Sequence, residues 1–200
     1  ISSLDDIAWL FNIRGGDVEY IPVTIAYALI SMDDACLFID PVKVPEDVLS
    51  MLCGNGVTVL GYESVTERLK ALEAGKSIAF DPDRTNCWLY DSIPSGCGKT
   101  ETEEFVTKLK SVKNKTELEN FERCQVSDGI AMVKFLMWLE NNVQSGQVTE
   151  ITVAEKLKEL RAQQPDNIGP SFSTIAAYRD HGAMMHYSAT EESKYTLENR

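Results

Sequence analysis

The spacing of apolar residues changes period within the first forty positions, and that change separates a helix from a hairpin. Ser3 precedes Asp5 and Asp6, and Ile7, Leu10 and Phe11 share one face at helical spacing. This predicts an opening amphipathic helix capped by Ser3, with Asp6 at N3 facing exposed amides, and ended by Gly15-Gly16. From Val23 to Ile30 and again from Ala35 to Ile39 the chain is apolar and rich in branched residues, with Met32-Asp33-Asp34 between, which reads as an antiparallel hairpin. Pro45 then starts a helix that Gly54 closes, and Val57 to Leu60 reads as a buried strand. Ser64 to Ala74 is a helix stopped by Gly75, and Ile78 to Phe80 resumes the sheet. Strand and helix alternate with at least partly parallel pairing, joined to a hairpin, so the expected class is α/β, or α+β overall, around a mixed sheet.

Further along, Asp91 to Thr102 carries Pro94, Gly96 and Gly98 without periodicity and reads as a loop near a domain boundary at about Lys110. The expected domains are therefore 1–110 and 111–200. Asn114-Lys-Thr-Glu117 has the pattern of a capping box, and Leu118, Phe121, Ala131, Phe135 and Leu139 recur at helical spacing up to Val143. Ile130 to Leu139 is apolar almost all round, which predicts burial on several sides. Thr152-Val-Ala-Glu155 reads as the cap of a further helix, with Ala154, Leu157 and Leu160 or Arg161 inward and Pro165 at its end. A short strand ending at His186 is expected next. So apolar a helix needs more cover than the residues after it supply, so the second domain reads as incomplete and the natural chain is expected to continue beyond Arg200.

Composition narrows the partners. With 44% apolar residues the 200-residue chain can fill a real core, and 19 basic against 31 acidic residues give a net charge of −12. Such a balance repels phosphate backbones and anionic lipid, so neither nucleic acid nor membrane is an expected partner. No apolar run approaches the roughly 18–20 residues of a membrane span. The start, Ile1-Ser-Ser-Leu-Asp-Asp6, lacks the basic region of a signal peptide, and a cytoplasmic location is expected. Cys36, Cys53, Cys87, Cys97 and Cys124 are widely spaced and without a Cys-x-x-Cys pair. They read as reduced thiols, each expected to be buried packing rather than a nucleophile.

Several motifs yield to simpler readings. Gly96-Cys-Gly-Lys-Thr100 resembles the tail of a phosphate-binding loop, but Ile93 stands where the first glycine is required, so a lysine-bearing turn explains it better. Asp5-Asp6 and Asp33-Asp34 fit a helix start and a turn. Asp128 lies among apolar neighbours on the long helix and is either a buried hydrogen-bonded carboxylate or part of a half-exposed face. His181 and His186 stand five apart, which suits neither helical zinc spacing nor one strand face, so they are not expected to share a metal. An imidazole titrates near neutrality and can exchange a proton or hydrogen bond with a substrate, which makes the histidines the side chains to explain.

Leu4-Asp-Asp-Ile-Ala-Trp-Leu-Phe-Asn-Ile-Arg-Gly15, followed by Asp17-Val-Glu-Tyr-Ile-Pro-Val23, resembles the opening of the second domain of eukaryotic three-domain aminopeptidase P. Ser111 to Asn114, Trp138 to Glu140, Val148 to Ile151, Ser171 to Ile175 and Gly182-Ala-Met-Met-His-Tyr187 resemble the same enzymes in the same order. The resemblance implies a creatinase-like mixed-sheet domain followed by the N-terminal part of a pita-bread metallopeptidase domain. It implies an enzyme that removes the first residue from peptides with proline in second position, with two metal ions, usually Mn2+, and a homodimer formed through the catalytic domain. It carries substrate binding to His186, whose imidazole would contact the peptide near the scissile bond or steady an oxyanion. His181 stands where relatives often have asparagine and inherits no function. The family's metal ligands would all lie beyond Arg200, so no catalytic or metal-binding residue is expected here and the isolated chain is expected to be inactive. A non-catalytic pita-bread module that binds peptides or proteins is the alternative. Prolidase or creatinase would share the fold, but the Leu4–Gly15 motif favours aminopeptidase P.

Overall fold

The computed structural model describes residues 1–103 and 105–198, which fall into two compact units, Ile1–Val112 and Lys113–Arg200. In the first, the predicted hairpin forms: β1 (Ala26–Ile30) and β2 (Ala35–Ile39) run antiparallel with Ala28 opposite Leu37. The chain then crosses through α2 (Glu46–Gly54) to β3 (Val57–Gly61), which lies parallel to β2 with Leu37 opposite Val59. The sheet is mixed, in the order β1-β2-β3.

Period-two alternation supplies a separate apolar cluster to each face of this sheet. Ala26, Ala28, Leu37, Ile39 and Val57 point to one side, where α1 (Leu4–Leu10) and α2 cover them with Ile7 and Leu52. Cys36 and Phe38 point to the other, where α3 (Val65–Lys70) and α4 (Cys87–Ser92) bring Val65, Leu69 and Leu89. Burial of each large side chain stabilises the unit by about 1.5–3 kcal/mol.

Several boundaries differ from expectation. Helix α1 stops at Leu10, because Asn12 adopts a left-handed φ of 51° before the glycines are reached. Gly15 serves close approach instead, since a Cβ there would lie 2.8 Å from Thr24 Cβ. Ser3 occupies the N-cap without a capping bond, its hydroxyl accepting from Arg84 Nη1 at 2.6 Å. Asp6 is fully buried, where Oδ2 accepts from Thr107 Oγ1 at 2.6 Å and Oδ1 pairs with Lys110 Nζ at 2.6 Å, so it ties α1 to α5 (Phe105–Ser111). Helix α3 ends at Lys70 rather than Ala74.

Ile78 to Phe80 does not rejoin the first sheet. It belongs to β4 (Ser77–Phe80), which pairs in parallel with β5 (Gly98–Glu101) in a separate two-stranded sheet. The segment expected as a loop therefore contains a strand, and its small and charged residues fit because β5 is exposed throughout. Cys36 and Cys97 are buried as expected, but Cys53, Cys87 and Cys124 are exposed; all of them are free thiols.

In the second unit, α6 (Lys115–Asn142) begins with the predicted capping box: Glu117 N donates to Asn114 Oδ1 at 3.0 Å, and Asn114 N to Glu117 Oε2 at 2.8 Å. Gly146, at φ 71°, reverses the chain toward α7 (Glu150–Ala162). That helix is capped by Thr149, with Thr152 at N3, so the box lies one helical turn earlier than the Thr152-Val-Ala-Glu155 reading. The apolar half of α6 is not enclosed within the unit. Ala131 is buried, whereas Val133, Leu136 and Met137 remain more than half exposed, because α7 covers one side only. Nor is there a strand before His186: the chain from Ser171 to Tyr187 is irregular apart from a 3-10 turn at Arg179–Ala183.

Candidate functional site

The two histidines stand in opposite settings. His186 is exposed, sits at a left-handed φ of 56°, and is without a hydrogen-bond partner among the described residues. For a branchless glycine such a φ is ordinary, but for histidine it must be held by the surrounding backbone. His181 is buried, and its ring lies between two tyrosines: parallel to Tyr195 at a centroid distance of 3.9 Å and tilted against Tyr187 at 4.5 Å.

What holds this region is Glu150, the first residue of α7, whose side chain is almost wholly buried. Its Oε1 accepts from Tyr178 N at 2.6 Å, and its Oε2 from the Tyr187 hydroxyl at 2.8 Å and Tyr195 N at 2.9 Å. His181 Nδ1 lies 3.0 and 3.1 Å from the two oxygens. A carboxylate in this setting only accepts, so the arrangement assigns the ring proton to Nδ1 and turns Nε2 away from Glu150. Burial pushes the Glu150 carboxyl up, but the amides of Tyr195 and Tyr178, the Tyr187 hydroxyl and the His181 ring outweigh it and hold the carboxyl down at about 2. The position at the start of α7 adds the favourable end of the helix dipole.

Backbone pairing extends the same anchor. Glu150 N donates to Tyr195 O at 3.2 Å, Leu197 N donates to Val148 O at 2.7 Å, and Thr149 forms a β-bridge with Thr196. On the surface, Arg179 Nη2 pairs with Glu198 Oε2 at 2.6 Å. The start of α7 and the segments on both sides of His186 are thus fastened to one buried carboxylate.

Sequence reasoning singled out His186 and gave His181 no role. The structure sets His181 in the anchor, and it adds Glu150 and Tyr187, which the motifs contain without a role of their own, and Tyr195, which lies outside them. An acidic residue directly after a capping threonine, and tyrosines at 178, 187 and 195, were the only signal available. Asp128 is half-exposed and paired with Arg161. Both line an open cleft of about 900 Å3 beside α6, which neither His186 nor Glu150 borders. Lys99, from the motif with a phosphate-loop look, donates to Tyr90 O at 3.0 Å from within β5, and no helix follows it directly as a phosphate loop requires. Among the described residues no group of three or more His, Cys, Asp or Glu side chains is placed to hold a metal ion.

Residues 1–117 match the family model described as the creatinase/prolidase N-terminal domain. The chain belongs to that family. Beyond the creatinase/prolidase N-terminal domain, residues 119–199 match the model of metallopeptidase family M24. Among curated relatives, the protein of Pyricularia oryzae named Probable Xaa-Pro aminopeptidase P is 35% identical, the match covering 99% of this chain and 34% of that protein. The protein of the same name from Verticillium alfalfae is also 35% identical, over 94% of this chain and 32% of its own length. The chain thus spans about a third of the length of these relatives. Among solved structures, the X-prolyl aminopeptidase of Caenorhabditis elegans, described as a cytosolic enzyme with a di-nuclear active site, is similar with a TM-score of 0.86 and 29% identity. That similarity covers 98% of this chain and 33% of the nematode one. The Xaa-Pro dipeptidase of Bacillus anthracis, at 21% identity and a TM-score of 0.69 over 97% of this chain and 51% of its own, shares the fold. The mixed-sheet creatinase-like architecture expected from the sequence is therefore the observed one.

Proposed function

We propose that this chain is part of a metallo-aminopeptidase that hydrolyses the N-terminal Xaa-Pro peptide bond, with residues 1 to about 110 as its creatinase-like second domain and the remainder as the leading part of a pita-bread catalytic domain. The observation that carries the reading is the succession, in one chain, of a creatinase/prolidase N-terminal domain and an M24 metallopeptidase segment, both aligned with relatives named for Xaa-Pro cleavage. In this reading His186 contacts the bound peptide near the scissile bond. Its exposure leaves both ring nitrogens available to a ligand, and a neutral imidazole can donate or accept there.

The described residues do not by themselves bring three His, Cys, Asp or Glu side chains together around a metal position. Two ions, Mn2+ in this reading, would be held by residues outside this chain and would supply an activated water. What this chain contributes is orientation of the substrate. In this reading the location is cytoplasmic, in line with the nematode enzyme's description as cytosolic, and the natural polypeptide is a homodimer.

The test is Mn2+-dependent release of the first residue from an Xaa-Pro-Pro tripeptide by the full natural polypeptide containing these residues, with the 200-residue chain alongside. Activity in the former, lost or strongly reduced by His186→Ala, and none in the latter is the expected result. A natural polypeptide that neither binds Mn2+ nor cleaves the peptide would overturn this function in favour of a peptide-binding scaffold.

A further inference from the structure

The region around His186 contains a buried carboxylate that substrate binding by His186 does not use. Glu150 gathers donors from Tyr178, His181, Tyr187 and Tyr195, and these residues bracket His186 on both sides. Among the described residues His186 makes no side-chain bond, and with φ at 56° the direction in which its Cβ leaves the chain is set by the backbone. Arg179, at the other end of the same segment, also has φ at 56°. A left-handed φ is uncommon for a non-glycine residue and persists where neighbouring bonds over-determine the backbone. The bonds nearest at hand are those to Glu150: Tyr187 follows His186 directly, and His181 stands in the middle of the 3-10 turn before it.

We infer that Glu150 is a positioning residue for His186, acting through the Tyr187 hydroxyl and the His181 ring to set the imidazole where a peptide substrate would meet it. The inference rests on the proposed peptidase reading for its functional consequence but not for its geometry. A side chain on an unpinned loop departs from a backbone that samples many positions, whereas one adjoining a four-donor carboxylate anchor departs from a backbone that is held in place, which is what orientation effects demand. Tyr187 has the most direct influence, being covalently next to His186, while its ring also covers His181.

The experiment compares Glu150→Gln, Tyr187→Phe, His186→Ala and their pairwise combinations in the full natural polypeptide, measuring kcat and KM on an Xaa-Pro-Pro tripeptide with Mn2+. Tyr187→Phe keeps the ring and removes one donor, so it remains informative if Glu150→Gln fails to fold. The expected result is a roughly 10- to 100-fold loss of kcat/KM for Tyr187→Phe or Glu150→Gln that disappears when His186 is already alanine. Equal losses with and without His186 would overturn the inference and leave Glu150 as a folding determinant only. A second readout needs no activity: the ring resonances of His186, followed by NMR in Tyr187→Phe. A shifted or broadened His186 signal supports the positioning role, and an unchanged one overturns it. A wild-type polypeptide without peptidase activity defeats the proposed function, and the His186 resonance then decides the positioning role alone.

Discussion

Arg161 grips Asp128 with two parallel hydrogen bonds, Nε to Oδ1 at 2.6 Å and Nη2 to Oδ2 at 3.1 Å, so α7 is tied to α6 by a planar fork rather than a point charge. Lysine cannot reproduce that geometry. Arg161→Lys is expected to lower stability by about 0.5–1 kcal/mol, a modest amount because both side chains are partly exposed. Asp128→Asn should cost a similar amount, and the double variant should lose less than the sum. A double-mutant cycle from urea unfolding checks this.

Leu37 is fully buried between β1, β3 and the helices on its face. Leu37→Ala is expected to destabilise the first unit by about 2–5 kcal/mol through lost burial and the cavity left behind. Met32, in the hairpin turn, is 98% exposed, and Met32→Ala should change stability by less than about 0.5 kcal/mol. Thermal or chemical unfolding of the two variants side by side is the measurement.

Gly146 and Gly129 should respond oppositely to alanine. At Gly146 nothing would touch an added Cβ, yet φ is 71°, so the conformation itself penalises alanine and a loss of about 1 kcal/mol is expected. At Gly129, inside α6, a Cβ also meets nothing and the backbone is helical, so alanine should gain about 0.5–1 kcal/mol. Stabilities of the two variants falling on the same side of wild type would refute this reading.

The Glu150 carboxyl, held at about 2 against an ordinary 4.5, binds its proton less readily in the folded chain than in the unfolded one. Its contribution is therefore complete above about pH 4.5 and is lost as pH falls toward about 2. Urea midpoints measured from pH 7 down to pH 3 should fall more steeply below pH 4.5 in wild type than in Glu150→Gln, which has no proton to take up at that position. Parallel curves would contradict the assigned hydrogen bonds.

The first sheet was legible because its signal is local. Ala26 to Ile30 and Ala35 to Ile39 alternate or saturate with apolar residues, and turn-forming Asp33 and Asp34 separate them. Strand β5 was not, since Gly98-Lys-Thr-Glu101 has no apolar face and becomes a strand only because β4 offers it an edge. The cap of α7 lies one turn earlier than the sequence pattern indicates, because the spacing rule asks for Glu or Gln at N3 and only Thr152-Val-Ala-Glu155 supplies it, whereas the box that forms uses the Thr152 hydroxyl at that place. His186 could be named from motif resemblance. The Glu150 anchor could not, for two of its donors are backbone amides, which every position but proline possesses, and the other two, the His181 ring and the Tyr187 hydroxyl, stand 31 and 37 residues from it along the chain.

Strand β2 is buried on both faces from Cys36 to Ile39. A strand with one polar side announces a slipped register at once, because a shift of one residue would drive charge into the core. Here a slip would exchange apolar residues for apolar residues throughout the interior of the strand, so polarity protects only at its ends, where Asp34 and Asp40 stand, and the difference in size between Cys36 and Phe38 gives some further protection. The duty passes to the turn that precedes the strand, where Ser31 N donates to Asp34 O at 2.8 Å and the Ser31 hydroxyl receives the amides of Asp33 and Asp34 at 3.2 and 2.9 Å. Ser31 works as a ratchet at the mouth of the strand, and through that turn one hydroxyl bears on the alignment of both half-cores.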